Sequence, residues 1–302
     1  MNDTDRAAAP REGPGAQRAP LDAGALRREL VGRGVIARLD VVESTGSTNT
    51  DLAAAFAADP TARPEISVLA TDFQSAGRGR LERTWQAPPY SSLAVSILFR
   101  PAPPGAAVPQ DAYAWLSMLC ATALAAALRE TCGIDADLKW PNDVVVGGRK
   151  VAGVLAQLVP DPAGPPAVVV GTGVNVTLGR DELPVPTATS LLLEGATTVD
   201  TTVLLTAYVR QAAHLYRGFL RAGGRAGEPI DGGASLRERV SAAMATLGAP
   251  VRAELPGGAT VEGTAVGLEP DGALSVRTPA GTTTVVRAGD VVHLRRTDGR
   301  YA

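Results

Sequence analysis

Two cysteines, two histidines and 4% aromatic residues are all that this 302-residue sequence holds of those types, and each scarcity removes a class of function. Cys120 and Cys132 lie in or beside one apolar helical stretch without metal-ligand spacing, so they read as ordinary thiols and not as a disulfide framework. His214 and His293 fall in unrelated regions, which gives no support to a Ser-His-Asp triad or a histidine-rich metal site, and no protein-built metal site is expected. A surplus of positive charge is also missing. The formal charge of −2 and pI near 5.8 argue against a partner gripped by neutralising many duplex phosphates. No run approaches the roughly 18 consecutive apolar residues of a membrane span. The opening MNDTDRAAAPREGPGAQRAP lacks an apolar signal core. The expectation is a cytoplasmic chain with no DNA or membrane partner.

What is present points to two domains, since the length exceeds the roughly 100 to 200 residues of one. Residues 1–34 read as a disordered or weakly structured tail, rich in Pro, Gly and Ala, with a short helical segment around Leu21 to Leu30. A larger domain over 35–247 follows. Asn49 or Thr50 caps a helix through Ala58, Ile66 to Phe73 reads as a strand, and Ala76 to Arg83 is a Gly-rich loop. Ser92 to Phe99 is a second strand and Asp111 to Leu128 a buried helix. Asp137 to Val146 and Lys150 to Val159 flank a Gly147-Gly148 turn, and Ala167 to Val176 is a central strand. Leu204 to Leu220 is an amphipathic helix, 220–234 a flexible connection, and Ser235 to Leu247 the last helix. Beyond Gly248 short strands alternate with Pro-Gly-Gly, Pro-Asp-Gly and Ala-Gly turns, the pattern of a small β domain over 248–302.

Four constellations carry chemical information. GRGRLERTW, Gly77 to Trp85, sets three arginines on a glycine-punctuated loop, either a cradle for carboxylate and phosphate oxygens or a solvated basic turn. KWPNDVVVGGRKVAGVL gathers Lys139, Asn142, Asp143 and Lys150 around one hairpin; strand alternation alone leaves open which lysine faces a ligand. Facing the arginine loop, such a hairpin would suit a reaction that builds charge at phosphorus. GTGVNV, Gly171 to Val176, resembles a dinucleotide fingerprint only superficially, because the rest of that spacing is missing. STGSTN, Ser44 to Asn49, read alone, is a helix cap.

Taken in order, STN (Ser47 to Asn49), QSAGRGRLERTW (Gln74 to Trp85), KWPND (Lys139 to Asp143), RKVAGVL (Arg149 to Leu155) and GTGVNV resemble the biotin-protein ligase family. The resemblance is strong over about residues 41 to 220, and the tail after Gly248 is similar to that family's SH3-like C-terminal domain. It implies an α+β fold: a mixed-sheet catalytic domain of the biotin/lipoate ligase type followed by a small SH3-like β-barrel. By the same resemblance Ser47, Thr48, Asn49, Gln74 and Gly153 line the biotin pocket, while Arg78, Gly79 and Arg80 belong to a loop that folds over biotin and the adenylate. Lys150 contacts the biotin carboxylate and α-phosphate, and with Arg78 and Arg80 forms the expected catalytic set. Trp85, Lys139, Asn142, Asp143 and Asn175 are the expected nucleotide-binding residues.

The implied substrates are biotin and ATP with Mg2+, and the implied partner is the biotin carboxyl carrier domain of an acyl-CoA carboxylase. Glu82 departs from the glycine many relatives carry in the loop. The short stretch before Ser44 leaves no room for a three-helix DNA-binding module, so a ligase without operator binding is expected. A lipoate or octanoate ligase shares the fold but would want a longer apolar pocket, and GRGRLERTW with KWPND favours biotin. A non-catalytic biotin or nucleotide sensor would not need Lys150 and the arginine loop together.

Overall fold

The computed structural model describes residues 18–79, 83–101, 108–162, 164–255 and 259–287, and the backbone of 293–296. Along the chain come α1 (Ala23–Leu26), continued by a wider turn over Arg27–Val31, then β1 (Arg38–Val41), α2 (Thr48–Ala58), β2 (Ser67–Thr71), β3 (Gly77–Arg78), β4 (Thr84–Trp85) and β5 (Ser92–Phe99). After a short turn at Gln110–Ala114 follow α3 (Trp115–Ala127), β6 (Asp137–Lys139), β7 (Asp143–Val146), β8 (Arg149–Asp161) and β9 (Gly164–Asn175). α4 (Thr201–Arg221) and α5 (Leu236–Ala243) close the first domain. β10 (Pro250–Glu254), β11 (Thr260–Leu268), β12 (Leu274–Arg277), β13 (Thr283–Val286) and β14 (His293–Arg296) form the second.

The first domain is built on a seven-stranded sheet in the order β1-β2-β5-β9-β8-β7-β6. β1 and β2 run parallel and every other neighbouring pair antiparallel, so the sheet is mixed as expected. β5 and β9 lie at its centre; β5 is buried along its whole length and β9 over residues 167–170 and 174–175, which is why these stretches read as β-branched and aliphatic runs. α3 and α4 pack together on one face, and α2 lies on the other. The helical stretch Gln110–Cys132 is long and apolar enough to cross a membrane, but 72% of its apolar window is buried here, so its hydrophobicity belongs to the core. The second domain is a five-stranded antiparallel sheet, β13-β12-β11-β10-β14, as the expected small SH3-like β domain requires.

Four details depart from the sequence reading. The strand expected over 137–146 is two strands folded on each other, with Lys139 directly opposite Asp143. Pro141 has no N–H for a ladder, and the chain reverses there. α2 begins at Thr48, ahead of the expected cap, with Ser47 at the N-cap position. The glycine-rich connection after α4 is packed: Ile230 is buried against Gly218, where a Cβ would meet its side chain at 2.5 Å, and Arg221 pairs with Asp231. Finally, the expected N-terminal tail contains core. Leu21, Leu26 and Leu30 are buried, and Asp22 caps α1 through the Ala25 N–H, so the few large apolar residues in a polar, Ala-rich stretch are the ones that anchor it.

The two domains share one core. Val251, Ala265, Leu268 and Leu274 belong to the same apolar cluster as Trp115 and Leu119 of α3. Two indoles join them with directional bonds: Trp115 donates to the Pro270 carbonyl at 2.7 Å, and Trp140 donates to the Gly272 carbonyl at 3.0 Å. Gly272 has φ +81°, and a Cβ there would come within 2.5 Å of the Met118 methyl. Gly272→Ala should therefore cost about 2 kcal/mol, from a strained left-handed backbone and an overfilled junction. Urea unfolding with an unchanged m-value and a lowered midpoint is the expected result; an unchanged midpoint would show that the junction yields freely.

Candidate active site

Residues directly opposite one another on neighbouring strands share a face of the sheet. One such row runs Thr71, Ala94, Gly173, Gly153, Asp143 and Lys139, crossing β2, β5, β9, β8, β7 and β6. The next row is Leu69, Ser96, Gly171 and Leu155. Between the two rows lies a floor of Ala94, Gly153, Gly171 and Gly173, almost without side chains. Two of its glycines leave no room for a side chain: a Cβ on Gly173 would lie 2.6 Å from the Trp85 ring and one on Gly171 would run into the Asn49 amide, while one on Gly153 would press on the movable Lys150 Nζ at 2.9 Å. GTGVNV is thus a sheet floor and not a phosphate turn.

The N-terminus of α2 roofs one end of this floor. Gln74 Oε1 accepts from the Thr48 backbone N–H at 2.8 Å and from the Thr48 hydroxyl at 3.1 Å, so a loop glutamine caps the helix. Ser47, in the N-cap position, makes no capping bond with its own hydroxyl. Asn49 is only 6% exposed; its Nδ2 donates to the Leu155 carbonyl at 3.0 Å, and Ser96 Oγ donates to its Oδ1 at 2.7 Å. Ser96 Oγ also lies 2.8 Å from Thr48 Oγ1. The cap reading and the pocket reading of STGSTN are therefore one arrangement, in which capping by Gln74 leaves short hydroxyls and an amide turned to the floor. Ser96 escaped sequence reasoning. Its signal was a hydroxyl inside the apolar run SLAVSILF, at the alternation step that faces α2.

The other end carries charge. Lys150 Nζ pairs with Asp143 Oδ1 at 2.6 Å, with the lysine side chain 28% exposed, and Lys139, 4% exposed, stands across from Asp143 in the row. Lys150 is held by its backbone as well: its N–H donates to the Thr187 carbonyl and its carbonyl accepts from Thr189 N–H, both at 2.8 Å. Asn175, buried, donates from Nδ2 to the Thr189 carbonyl at 2.9 Å, and so braces the loop that clasps Lys150. That loop carried no sequence motif. Asn142 staples the hairpin to β8, donating from Nδ2 to the Val154 carbonyl at 2.6 Å and accepting from the Val154 N–H.

The arginine loop rises beside the floor as a small ribbon. Gly77 opposes Trp85, Arg78 opposes Thr84, and the Gly79 N–H bonds the Arg83 carbonyl at 2.7 Å. Arg78 is exposed. Arg80 and Glu82 lie outside the described residues. Trp85 lies on Gly153 and Gly173, its indole N–H buried and without a hydrogen-bond partner among the described residues. A flat ligand on the floor would share that surface with Trp85.

Among the described residues no group of three or more His, Cys, Asp or Glu is arranged to hold a metal ion. The floor row does present one carboxylate, Asp143, suited to a magnesium ion carried in on nucleotide phosphates, which keeps most of its water. Covalent catalysis through cysteine is excluded for Cys120, whose thiol is pushed up to about 12 by complete burial and is therefore protonated at neutral pH.

Comparison with known proteins finds relatives that match both domains. Residues 41–175 match the biotin/lipoate A/B protein ligase family and residues 246–294 the biotin protein ligase C terminal domain. The chain is 37% identical over 282 residues to a biotin--[acetyl-CoA-carboxylase] ligase of Mycobacterium tuberculosis, covering 92% of this chain and 97% of that one. It is also 37% identical over 231 residues to the enzyme of the same name from Paracoccus denitrificans, covering 73% and 88%. A biotin protein ligase from Aquifex aeolicus in complex with biotin and ATP superposes with a TM-score of 0.68 at 25% identity, over 87% of this chain and all of that one.

Gly173→Ala places a methyl inside the Trp85 ring contact. The expected outcome is a stability loss of about 1 to 3 kcal/mol, together with a red-shifted tryptophan emission as the indole is pushed toward solvent. Unchanged emission would mean that Trp85 does not rest on this floor.

Proposed function

The chain belongs to the biotin protein ligase family, and on that premise we propose that its glycine floor holds biotin while the Lys139–Asp143–Lys150 end meets the α-phosphate of ATP. The activity is ATP-dependent biotin ligation. The observation that carries the site assignment is a pair of adjacent register rows, one ending in Asp143 and Lys139 with Lys150 paired to Asp143, the other carrying Ser96 and Gly171 beneath the hydroxyl and amide of Thr48 and Asn49. From β8 to β5 each row spans two interstrand intervals, about 10 Å. Such a strip suits a flat acid with a neutral polar head at one end and a carboxylate at the other. Ser47, Thr48, Asn49 and Gln74 offer both donors and acceptors to a ureido ring, and Lys150 waits at the carboxylate end.

In the first step a biotin carboxylate oxygen attacks the α-phosphorus and the bond to pyrophosphate breaks, giving biotinyl-5'-AMP. Negative charge grows on the phosphoryl oxygens, and Lys150, clasped by Thr187 and Thr189, is a fixed cation that needs no reorganisation to meet it. Lys139 and Arg78 add positive charge around the same anions. In the second step the amine of a carrier lysine attacks the acyl carbon, the bond to AMP breaks, and the amine proton is lost to solvent or phosphate. Closure of the arginine loop would exclude water from the anhydride between these steps. The acceptor in this proposal is the carboxyl carrier domain of an acyl-CoA carboxylase, and the setting is the cytoplasm, where ATP is supplied. The name of the Mycobacterium tuberculosis relative supports the acceptor.

Transfer of labelled biotin to a purified carrier domain, with lipoate offered in parallel, tests the reading. Transfer of biotin alone is expected, and transfer of lipoate alone would overturn the substrate assignment. Lys150→Ala should slow adenylate formation by about 10² to 10³, the range for losing one preorganised charge-stabilising group, while leaving the unfolding midpoint near that of the parent. Pyrophosphate release at the parent rate would remove Lys150 from the chemistry. Arg78→Ala should speed escape of the adenylate, read as biotinylation of unrelated lysines added to the reaction. Escape at the parent rate would remove Arg78 from the closing loop.

A further inference from the structure

Residues 18–22 form a strap that crosses the sheet end nearest the site, and it touches the two strand ends from which the site loops leave. Leu21 N–H donates to Asp72 Oδ2 at 2.7 Å, just beyond β2 and two residues before Gln74. Arg18 donates to Thr177 Oγ1 at 3.1 Å and to the Thr177 carbonyl at 3.2 Å, two residues beyond Asn175, and pairs with Glu182 at 2.6 Å. Asp22 N–H reaches Thr202 Oγ1 at 3.0 Å, and Leu21 is buried in the main core.

The arginine–glycine loop returns to the sheet between those same two strand ends. Its entry stem is fixed to the approach to α2, where Ser75 N–H meets the Thr45 carbonyl and Ala76 N–H the Gly46 carbonyl, both at 2.9 Å. Its exit hinge is Tyr90-Ser91. Tyr90 N–H donates to the Asp72 carbonyl at 3.2 Å, and the Ser91 carbonyl accepts from Val176 and Thr177 at 3.1 and 2.9 Å. Tyr90 sits at φ +60°, a left-handed conformation that a tyrosine keeps only when its neighbours hold it there.

We propose that Arg18 and Asp72, linked through the strap, are positioning residues that clamp the exit hinge of the arginine–glycine loop and so set how tightly the loop retains biotin and its adenylate. This rests on the ligase reading of the site. Asp72 gives the clamp its energetic logic: it is 5% exposed, its Oδ1 has no partner among the described residues, and burial raises its affinity for a proton. A buried carboxylate with one backbone N–H in its favour depends on that N–H, and the N–H belongs to the strap. A disturbance of either end therefore reaches the hinge through one or two backbone bonds.

Full-length Arg18→Ala, Asp72→Asn and the double variant, with Arg33→Ala as a control on an exposed ion pair of the same segment, test the clamp. Each single change should raise KM for biotin and the rate of adenylate escape by about five- to tenfold, the equivalent of one typical hydrogen bond, with kcat held within about twofold. The double variant should be little worse than either single one, because both act on one hinge. Amide exchange at residues 73–79 and at Tyr90 and Ser91 should quicken in the variants, a readout that does not depend on activity. Variants that only lower the melting midpoint, leaving KM, escape and local exchange as in the parent, would overturn the clamp. A parent protein that exchanges normally but transfers no biotin would overturn the ligase reading, and unchanged local exchange in the variants would still overturn the clamp by itself.

Discussion

The close approach of α2 to β9 is the constraint on which the ligand side of this protein depends. Asn49 enters the space that a side chain at Gly171 would fill, and Trp85 does the same at Gly173, so glycine at alternate positions of one strand sets the depth of the pocket. Thr172, between them, points to the opposite face and bonds the Tyr208 hydroxyl at 2.8 Å inside the core. A glycine strand carries an entropic cost and little packing of its own. Here that cost is offset from behind, by Thr172 and by Val170 and Val174, all buried against α3 and α4.

The polar head of the site shows why its residues come from distant parts of the chain. Gln74 must cap α2 for the helix to begin at Thr48, and α2 must begin there for Asn49 to reach the Leu155 carbonyl. Ser96 then ties the helix terminus to the central strand. Each bond satisfies a group that would otherwise be buried without a partner, and such a group costs more than a bond made in water returns. The same network of hydroxyls and amides therefore fastens the roof to the floor.

How much of this was legible follows from how local each feature is. The two-domain order, the central strands and the buried helix depend on composition within a dozen residues, and they were readable. So was the bringing together of Lys139, Asp143 and Lys150, because they lie close together in the sequence. The fold of 137–146 onto itself was not, since Val-rich residues on both sides of Pro141 read as one strand. Asn175 shows a different failure: the structure displays its amide bracing the loop at Thr189, a contact no motif announces. The N-terminal segment was misjudged for the same reason. Its average composition resembles a tail, but Leu21, Leu26 and Leu30 gain their burial from α4 and the sheet, far along the chain.

The cationic end of the site rests on the second domain more than its place in the first suggests. β6 and β7 form an edge hairpin of three and four residues, too short to hold a fixed geometry by its own ladder. What holds it is the turn between them. Trp140 is buried; its backbone N–H donates to Thr246 Oγ1 at 3.0 Å and its indole to the Gly272 carbonyl. Lys139 precedes that tryptophan and Asp143 lies three residues after it, so the charged end of the row is registered against residues beyond position 245. A shift of the second domain would move Trp140, and with it both the partner of Lys150 and the lysine across from it, while the hydroxyl and amide end of the floor stayed with α2. The hydroxyl and amide end of the floor and its charged end thus lie on adjacent sheet rows but are anchored from opposite sides of the molecule.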